Sequence, residues 1–479
     1  MTERQRFAVP DQLTCYYDRP AEPANVHVEV RVPGRLDEGA LRGSVQAVLA
    51  SEPGVRARRA RAGGWRRSYY WEFPPVPDAD PVRVAAHADR AVLDAQRDAF
   101  LSLALPLDIA PPLRFLLTSG TGGDSLILNA HHARFDGLAC LRLLHMVADE
   151  YGRRAARSGP ATSPADAGHQ AAGEQPAGRP EPGPPAARGT TAGSAGAARA
   201  GRGTTAGPAG PARAGRGTTA RITPAHGGHG DMTRPGYGAH LLSWDGLAAA
   251  GPRRPAAASI NDLLIAALML TISDWNEGST AGGGRAGGGR RAGRGGRGGG
   301  RIRITMPVGD RSQAGPDGQW ANLSRLTAVT AQVRPWTPPA ALLGEVTRQT
   351  REAKEHPGPQ VDLASRVLAG APVPVTAKNI VLRAALRVAG ALLCDTSLVS
   401  NLGSVDAPAF GALTATQVWF STSAHMPRGL SLGAVTVGGR LCLTFRYRRA
   451  LFAAADAAEF AGRYAKTLDQ LAGVEGGSR

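Results

Sequence analysis

One short stretch gives the main evidence for the fold of this chain: His131-His132-Ala133-Arg134-Phe135-Asp136-Gly137. The six residues before it, 125–130, are mostly apolar and predict a buried strand. Asp136 is a typical N-cap residue, because its carboxylate can accept hydrogen bonds from free amide groups of a first helical turn. The sequence therefore predicts two adjacent histidines at a tight strand-to-helix connection. The helix is indicated by apolar residues at helical spacing: Leu138, Leu141, Leu144, Ala148 and Tyr151.

The histidine pair has a chemical interpretation and a structural one. An imidazole titrates near neutral pH and can take a proton from an alcohol or an amine. A turn between two regular elements holds such a ring better than a long loop would. The pair is therefore the predicted active site, and the alternative is a core imidazole satisfied by hydrogen bonds.

The complete pattern His-His-x-x-x-Asp-Gly resembles the signature of an acyltransferase superfamily. That superfamily includes chloramphenicol acetyltransferases, nonribosomal-peptide condensation domains, bacterial wax-ester synthases and polyketide-associated acyltransferases. The resemblance implies an α/β (α+β) fold. Two chloramphenicol acetyltransferase-like lobes would form a V-shaped pseudo-dimer with the active site at the lobe interface. Further stretches similar to these enzymes follow in order: Leu-Asp before Pro-Leu-Arg (107–114), Ile-Asn-Asp-Leu-Leu (260–264), Pro-Val-x-x-Arg with a later Asn (307–322) and Ser-Asn-Leu-Gly (400–403).

The resemblance also implies roles for the residues of the motif. His132, the second histidine, would be the general base that acts on an acceptor hydroxyl or amine. His131 and Asp136 would shape the catalytic turn. A carboxylate in a partly buried turn needs a cationic partner, because an unpaired buried charge costs several kcal/mol. We expect Arg311 to be that partner and to bridge the two lobes.

Three other residues are expected to shape the site. Gly137 would permit a close backbone approach where a side chain would block the channel. Ser400 and Asn401 would supply polar groups near the oxyanion or the substrate. The alternative for these two is ordinary capping at the end of a strand.

The predicted function is that of a freestanding condensation-like acyltransferase of secondary-metabolite or lipid biosynthesis. It would transfer an acyl group from a carrier-protein or CoA thioester to a small-molecule hydroxyl or amine. The thioester is a co-substrate, and no permanently bound cofactor or metal is expected. Leu138-Ala139 follows the motif where peptide-forming condensation domains often have Trp-Ser, which disfavours amide formation on a peptidyl carrier. The alternative is a catalytically inactive condensation-like module that recruits other enzymes.

The predicted domains are an N-terminal lobe over 1–155, a low-complexity disordered linker over 156–235 and a C-terminal lobe over 236–475. The linker repeats Arg-Gly-Thr-Thr-Ala three times, and a Gly/Arg-rich insert occupies 278–300. RNA binding by such an insert is a third hypothesis.

The chain has 479 residues and a formal net charge of +17, which would also be compatible with nucleic-acid binding. Residues 152–235 and 278–301 carry thirteen of those excess charges, and lysine occurs only three times. The arginine excess therefore resembles a coding bias, and no nucleic-acid partner is expected. A cytoplasmic protein is predicted, because the four cysteines are scattered, the N-terminus is polar and no uninterrupted apolar run is long enough to span a membrane. We also expect a monomer.

Overall fold

The computed structural model describes residues 4–61, 65–157, 219–225, 234–246, 258–281, 300–308, 320, 325–356, 370–381, 384 and 395–473. These residues belong to one compact unit, which is made of 1–157 and 218–479. Two larger sheets, each with its own helices and hydrophobic core, organise this unit.

The first sheet has five strands in the order β14-β2-β7-β6-β5. Strand β2 pairs antiparallel with β7 on one side and with β14 on the other, and β5 pairs parallel with β6. The strands are β2 (Asn25–Val32), β5 (Val82–Ala86), β6 (Leu113–Gly120), β7 (Gly123–His131) and β14 (Gln417–Thr422).

Strand β2 explains how this sheet is covered. Its valines at alternate positions, such as Val26 and Val28, face the core formed with two helices, α2 (Glu38–Ser51) and α4 (Gly137–Arg157). The polar face that alternates with these valines is buried as well, because a third helix, α3 (Arg90–Leu101), contributes buried side chains there. The first sheet is therefore covered on both faces.

The second sheet has six strands in the order β10-β9-β11-β15-β16-β8. Strand β11 pairs parallel with β9 and β15, and the other neighbours are antiparallel. Three helices pack on it and build the second core: α5 (Ile260–Ala281), α6 (Pro339–Glu355) and α7 (Ala454–Ala472). The strands are β8 (Tyr237–Trp244), β9 (Arg301–Val308), β10 (Arg325–Gln332), β11 (Ser397–Ser404), β15 (Leu430–Val437) and β16 (Arg440–Arg448).

Smaller elements complete the described residues. A helix, α1 (Val9–Tyr17), lies between β1 and β2 in the chain. A three-stranded sheet, β1-β4-β3, and a two-stranded one, β12-β13, lie outside the larger sheets. Their strands are β1 (Arg4–Arg6), β3 (Arg58–Arg59), β4 (Tyr70–Glu72), β12 (Ala409–Phe410) and β13 (Leu413–Thr414), and a 3-10 turn spans Pro53–Arg56.

Strand β14 is one of the elements that the sequence analysis does not predict. It comes from the C-terminal half of the chain but joins the edge of the first sheet, where Ser421 lies opposite His27. It also passes close to β15, since a Cβ atom at Gly433 would lie 1.9 Å from the carbonyl oxygen of Phe420. One strand of the predicted 236–475 lobe is thus hydrogen-bonded into the N-terminal sheet. The domain boundaries themselves stay a prediction.

The two elements predicted around the motif agree with the structure: the strand before it and the helix after it both form. Asp89 caps helix α3 by accepting a hydrogen bond from the amide of Val92. Residues 219–225, assigned to the linker, lie against the second core through buried Ile222. The first two repeats, residues 216–218 of the third and residues 282–299 of the Gly/Arg insert lie outside the described residues.

Candidate active site

The histidine pair occupies the connection between β7 and α4. Strand β7 ends at His131, and the backbone amide of His132 donates a hydrogen bond to the carbonyl of Ala24 over 2.8 Å. The carboxylate of Asp136 accepts a hydrogen bond of 2.9 Å from the amide of Ala139 in the first turn of α4. The predicted strand, turn and N-cap are therefore confirmed, and they hold the backbone on both sides of His132.

The ring of His132 is fixed by a hydrogen bond of 3.0 Å between its Nδ1 and the carbonyl oxygen of Phe135. A carbonyl can only accept, so Nδ1 carries the proton and Nε2 keeps its lone pair when the ring is neutral. Burial lowers the pKa of His132, as do the charges of His131 and Arg446, and this outweighs the Phe135 carbonyl and Asp136, which act to raise it. His132 is half-buried.

The neighbouring ring, His131, is fully buried and has the opposite arrangement. Its Nδ1 accepts a hydrogen bond of 3.1 Å from the amide of Ala133, so the proton of the neutral ring is on Nε2. That nitrogen lies 3.4 Å from Oδ2 of Asp18, at the end of α1. The sequence analysis missed Asp18, and no local pattern marks it, because it lies more than 110 residues before the motif.

The expected partner of Asp136 cannot be placed. Asp136 is buried at the start of α4, as a structural role requires. Arg311 lies outside the described residues, so the Asp136–Arg311 ion pair stays a prediction.

Gly137 packs between the two sheets. A Cβ atom at this position would lie 2.4 Å from the ring of Phe420 and 2.7 Å from a methyl group of Leu402. The Ser-Asn-Leu-Gly strand and β14 are therefore both brought against the end of the motif. Gly137 serves close packing at this point.

We expect Gly137→Ala to lower the free energy of unfolding by about 1–3 kcal/mol, since the added methyl group overpacks a filled contact. Chemical denaturation with matched denaturant slopes measures this change. The control is Gly462→Ala, where a Cβ atom would meet no neighbour within 4 Å on helix α7. That control should stabilise by about 0.5–1 kcal/mol. Equal effects at both sites would contradict the packing role of Gly137.

Ser400 and Asn401 lie on β11 next to this contact. Ser400 is buried opposite Gly433 in the ladder with β15. The amide of Asn401 donates to Oδ1 of Asn261 over 2.8 Å, and its oxygen accepts from the amide of Gly403. These bonds tie β11 to α5 and support the capping alternative for Asn401. A role of either residue at the oxyanion stays a prediction.

A buried arginine of the second sheet also reaches the histidine turn. The guanidinium of Arg446 donates to the carbonyls of Asn25 and Leu101 over 3.1 and 3.0 Å, and it stacks 4.3 Å from the ring centre of Tyr237. Asn25 lies opposite His131 in the β2–β7 ladder, so Arg446 braces the strand beside the motif. The same strand, β16, also contains Arg440 and Arg448, so no local pattern distinguishes Arg446.

Two searches of the described residues bear on other kinds of site. Within these residues, no cluster of three or more His, Cys, Asp or Glu side chains is arranged to hold a metal ion. No helix among them is both long and apolar enough to cross a membrane.

Solved structures identify the fold. The first condensation domain of the calcium-dependent antibiotic synthetase, in complex with a substrate analogue, matches 98% of this chain and 96% of its own length, with a TM-score of 0.60 and 14% identity. A starter condensation domain of rhizomide synthetase, in complex with C8-CoA and Leu-SNAC, matches 98% and 94%, with a TM-score of 0.56 and 13% identity. The epimerization domain of tyrocidine synthetase B matches 99% and 98%, with a TM-score of 0.54 and 14% identity. The chain therefore has the condensation-domain fold, and the predicted α/β class is confirmed.

Two curated proteins have a higher sequence identity to this chain than the solved structures do, and neither has a described activity. Two proteins of Mycobacterium tuberculosis, from two strains and both described as uncharacterised, are 29% identical over 476 residues. The match covers 98% of this chain and the whole of each relative. No protein-family model matches the chain.

Proposed function

We propose that this protein is an acyltransferase that moves an acyl group from a thioester to a hydroxyl or amine, with His132 as the general base. The observation that carries the proposal is the hydrogen bond from Nδ1 of His132 to the Phe135 carbonyl, which leaves Nε2 free to accept a proton. The condensation-domain fold supports it, because a solved relative holds C8-CoA and Leu-SNAC. The natural donor would be a carrier-protein or CoA thioester of secondary-metabolite or lipid biosynthesis.

The reaction follows from this arrangement of the ring. Nε2 of His132 takes the proton of the acceptor while the acceptor oxygen or nitrogen bonds to the thioester carbonyl carbon. The resulting tetrahedral oxyanion collapses, and the carbon–sulfur bond breaks. The leaving thiolate takes the proton back from the imidazolium, which restores the neutral base. The products are an ester or amide and a free thiol.

The test is incubation of the purified protein with C8-CoA and small amine or alcohol acceptors, including Leu-SNAC. Thiol release and product mass are measured for the wild type and for a His132→Ala variant. A product that needs His132 supports the proposal. Absence of any His132-dependent product across donors and acceptors favours the inactive recruiting module instead.

The pH dependence gives a second prediction for this reaction. The base must be neutral, and burial holds the pKa of His132 below its ordinary value of 6.5. As pH falls, the ring gains its proton later than a free histidine would, so kcat/KM should remain high at pH 6.5 and decline only at lower pH. A pH–rate profile measures the midpoint of that decline. A midpoint above 6.5 would contradict the neutral-base assignment.

A further inference from the structure

The carboxylate of Asp18 has one oxygen in a hydrogen bond to the backbone and the other within ion-pair distance of His131. Its Oδ1 accepts a hydrogen bond of 2.9 Å from the amide of Ala24. Its Oδ2 lies 3.4 Å from Nε2 of His131, and the Asp18 side chain is about three-quarters buried. One carboxylate thus binds the segment that leads into β2 and the first ring of the motif.

Ala24 connects Asp18 directly to His132. The amide of Ala24 donates to Asp18, while its carbonyl accepts the amide of His132 over 2.8 Å. On the other side, Nδ1 of His131 accepts the amide of Ala133 over 3.1 Å. The backbone amides of His132 and of Ala133, which follows it, are therefore both held through groups that Asp18 contacts.

We propose that Asp18 is a positioning residue: it fixes the Nε2–H tautomer of His131 and, through Ala24, the backbone of His132, so that the base keeps its orientation. This inference rests on the proposed function. A carboxylate can only accept, so it selects the proton on Nε2 of His131 and leaves Nδ1 to accept from Ala133. The opposite tautomer would place two N–H groups against each other at Ala133.

The charge state of Asp18 is compatible with this role. Burial alone would raise its pKa, but the hydrogen bonds and charge of His131, together with the Ala24 amide, bring it below its ordinary value. Asp18 is therefore an anion at neutral pH and a pure acceptor.

Asp18→Asn tests the proposal with little change in shape. An asparagine has a single acceptor oxygen, so it cannot accept from both Ala24 and His131. If the oxygen stays with Ala24, the amide NH2 faces His131 and favours the wrong tautomer. We expect kcat to fall by about 100-fold with KM nearly unchanged, because a small misplacement of a base costs rate and not ground-state binding. Asp18→Glu, which keeps two acceptors, should recover part of the rate.

The tautomer is measured directly by two-dimensional nitrogen–proton NMR of protein labelled with 15N-histidine, with His131→Gln used to assign the signal. The wild type should show a proton on Nε2 of His131, and Asp18→Asn should show a shift toward Nδ1. The matched control is Asp124→Asn. Asp124 is also buried and accepts from one backbone amide, that of Leu36, and from one basic group, that of Arg35. It lies at the opposite end of β7.

A changed tautomer and a slow Asp18→Asn variant, with Asp124→Asn unaffected in both, would support the proposal. An unchanged His131 tautomer would overturn it. So would equal losses of turnover in both variants that match their losses of folded protein, because Asp18 would then only stabilise the fold. If the wild type shows no His132-dependent turnover, the proposed function fails, and the NMR comparison still decides the role of Asp18.

Discussion

Replacing His132 by alanine should lower kcat by about 100- to 10,000-fold, the usual contribution of a general base. In the proposed mechanism the ring of His132 supplies the proton acceptor, and the hydrogen bond between its Nδ1 and the Phe135 carbonyl fixes its orientation. The fold should survive, because the lost hydrogen bond from Nδ1 contributes only about 1 kcal/mol. Single-turnover assays with C8-CoA measure the rate, and circular dichroism measures the fold.

The matched control for this variant is His145→Ala. His145 is also half-buried and lies on α4, only thirteen residues further along the chain. Its loss should leave kcat within about twofold, because it takes no part in the hydrogen bonds of the turn. If the two variants were equally active, His132 would have no special role. If His132→Ala were unfolded, the ring would be a core residue.

Replacing Arg97 by methionine should lower the free energy of unfolding by about 3–5 kcal/mol, the largest effect on stability that we expect. The guanidinium of Arg97 binds both oxygens of Glu29, over 2.5 and 2.8 Å, and both side chains are fully buried. The variant would leave the Glu29 carboxylate buried without its cation. His27 lies 3.5 Å from the same carboxylate and bonds to Ser421 of β14, so this group also ties α3 to two strands.

Two comparisons separate a buried ion pair from ordinary loss of contacts. Arg348→Met removes an arginine that pairs with Glu345 but is 60% exposed, and it should lower the free energy of unfolding much less than Arg97→Met does. The double variant Glu29→Gln with Arg97→Met removes both charges, so it should be more stable than Arg97→Met alone. A single variant no worse than Arg348→Met would contradict this interpretation.

The pair also predicts how stability depends on pH. Although burial opposes it, the charge and hydrogen bonds of Arg97 and His27 hold the pKa of Glu29 well below the ordinary 4.5. A carboxyl group whose folded pKa is lowered stabilises the fold above its unfolded pKa, and this stability is lost as pH falls. Denaturation series from neutral to acid pH should show a decline that begins near pH 4.5 and is smaller in the double variant, where other carboxylates with lowered pKa values remain.

Strands, helices and turns that depend on neighbouring residues could be predicted from the amino-acid sequence alone. The alternating valines of β2, the apolar stripe and Asp136 cap of α4, and the glycine pair at 438–439 each act within a few residues of themselves. The motif of two histidines, an aspartate and a glycine also lies within seven residues, so both the turn and its chemistry could be predicted. Local secondary structure can be predicted here because it depends on residues that are close together in the chain.

The groups that surround the motif come from residues far from it in the sequence, and the tertiary structure was needed to identify them. Asp18, Arg446 and β14 meet the histidine turn from opposite ends of the chain, and Glu29 meets Arg97 across 68 residues. None of these contacts has a periodic signature, because a buried charge or strand edge is satisfied by whichever group the packing of two sheets brings near it. Local sequence therefore specified the histidine turn, and packing selected the groups that hold it.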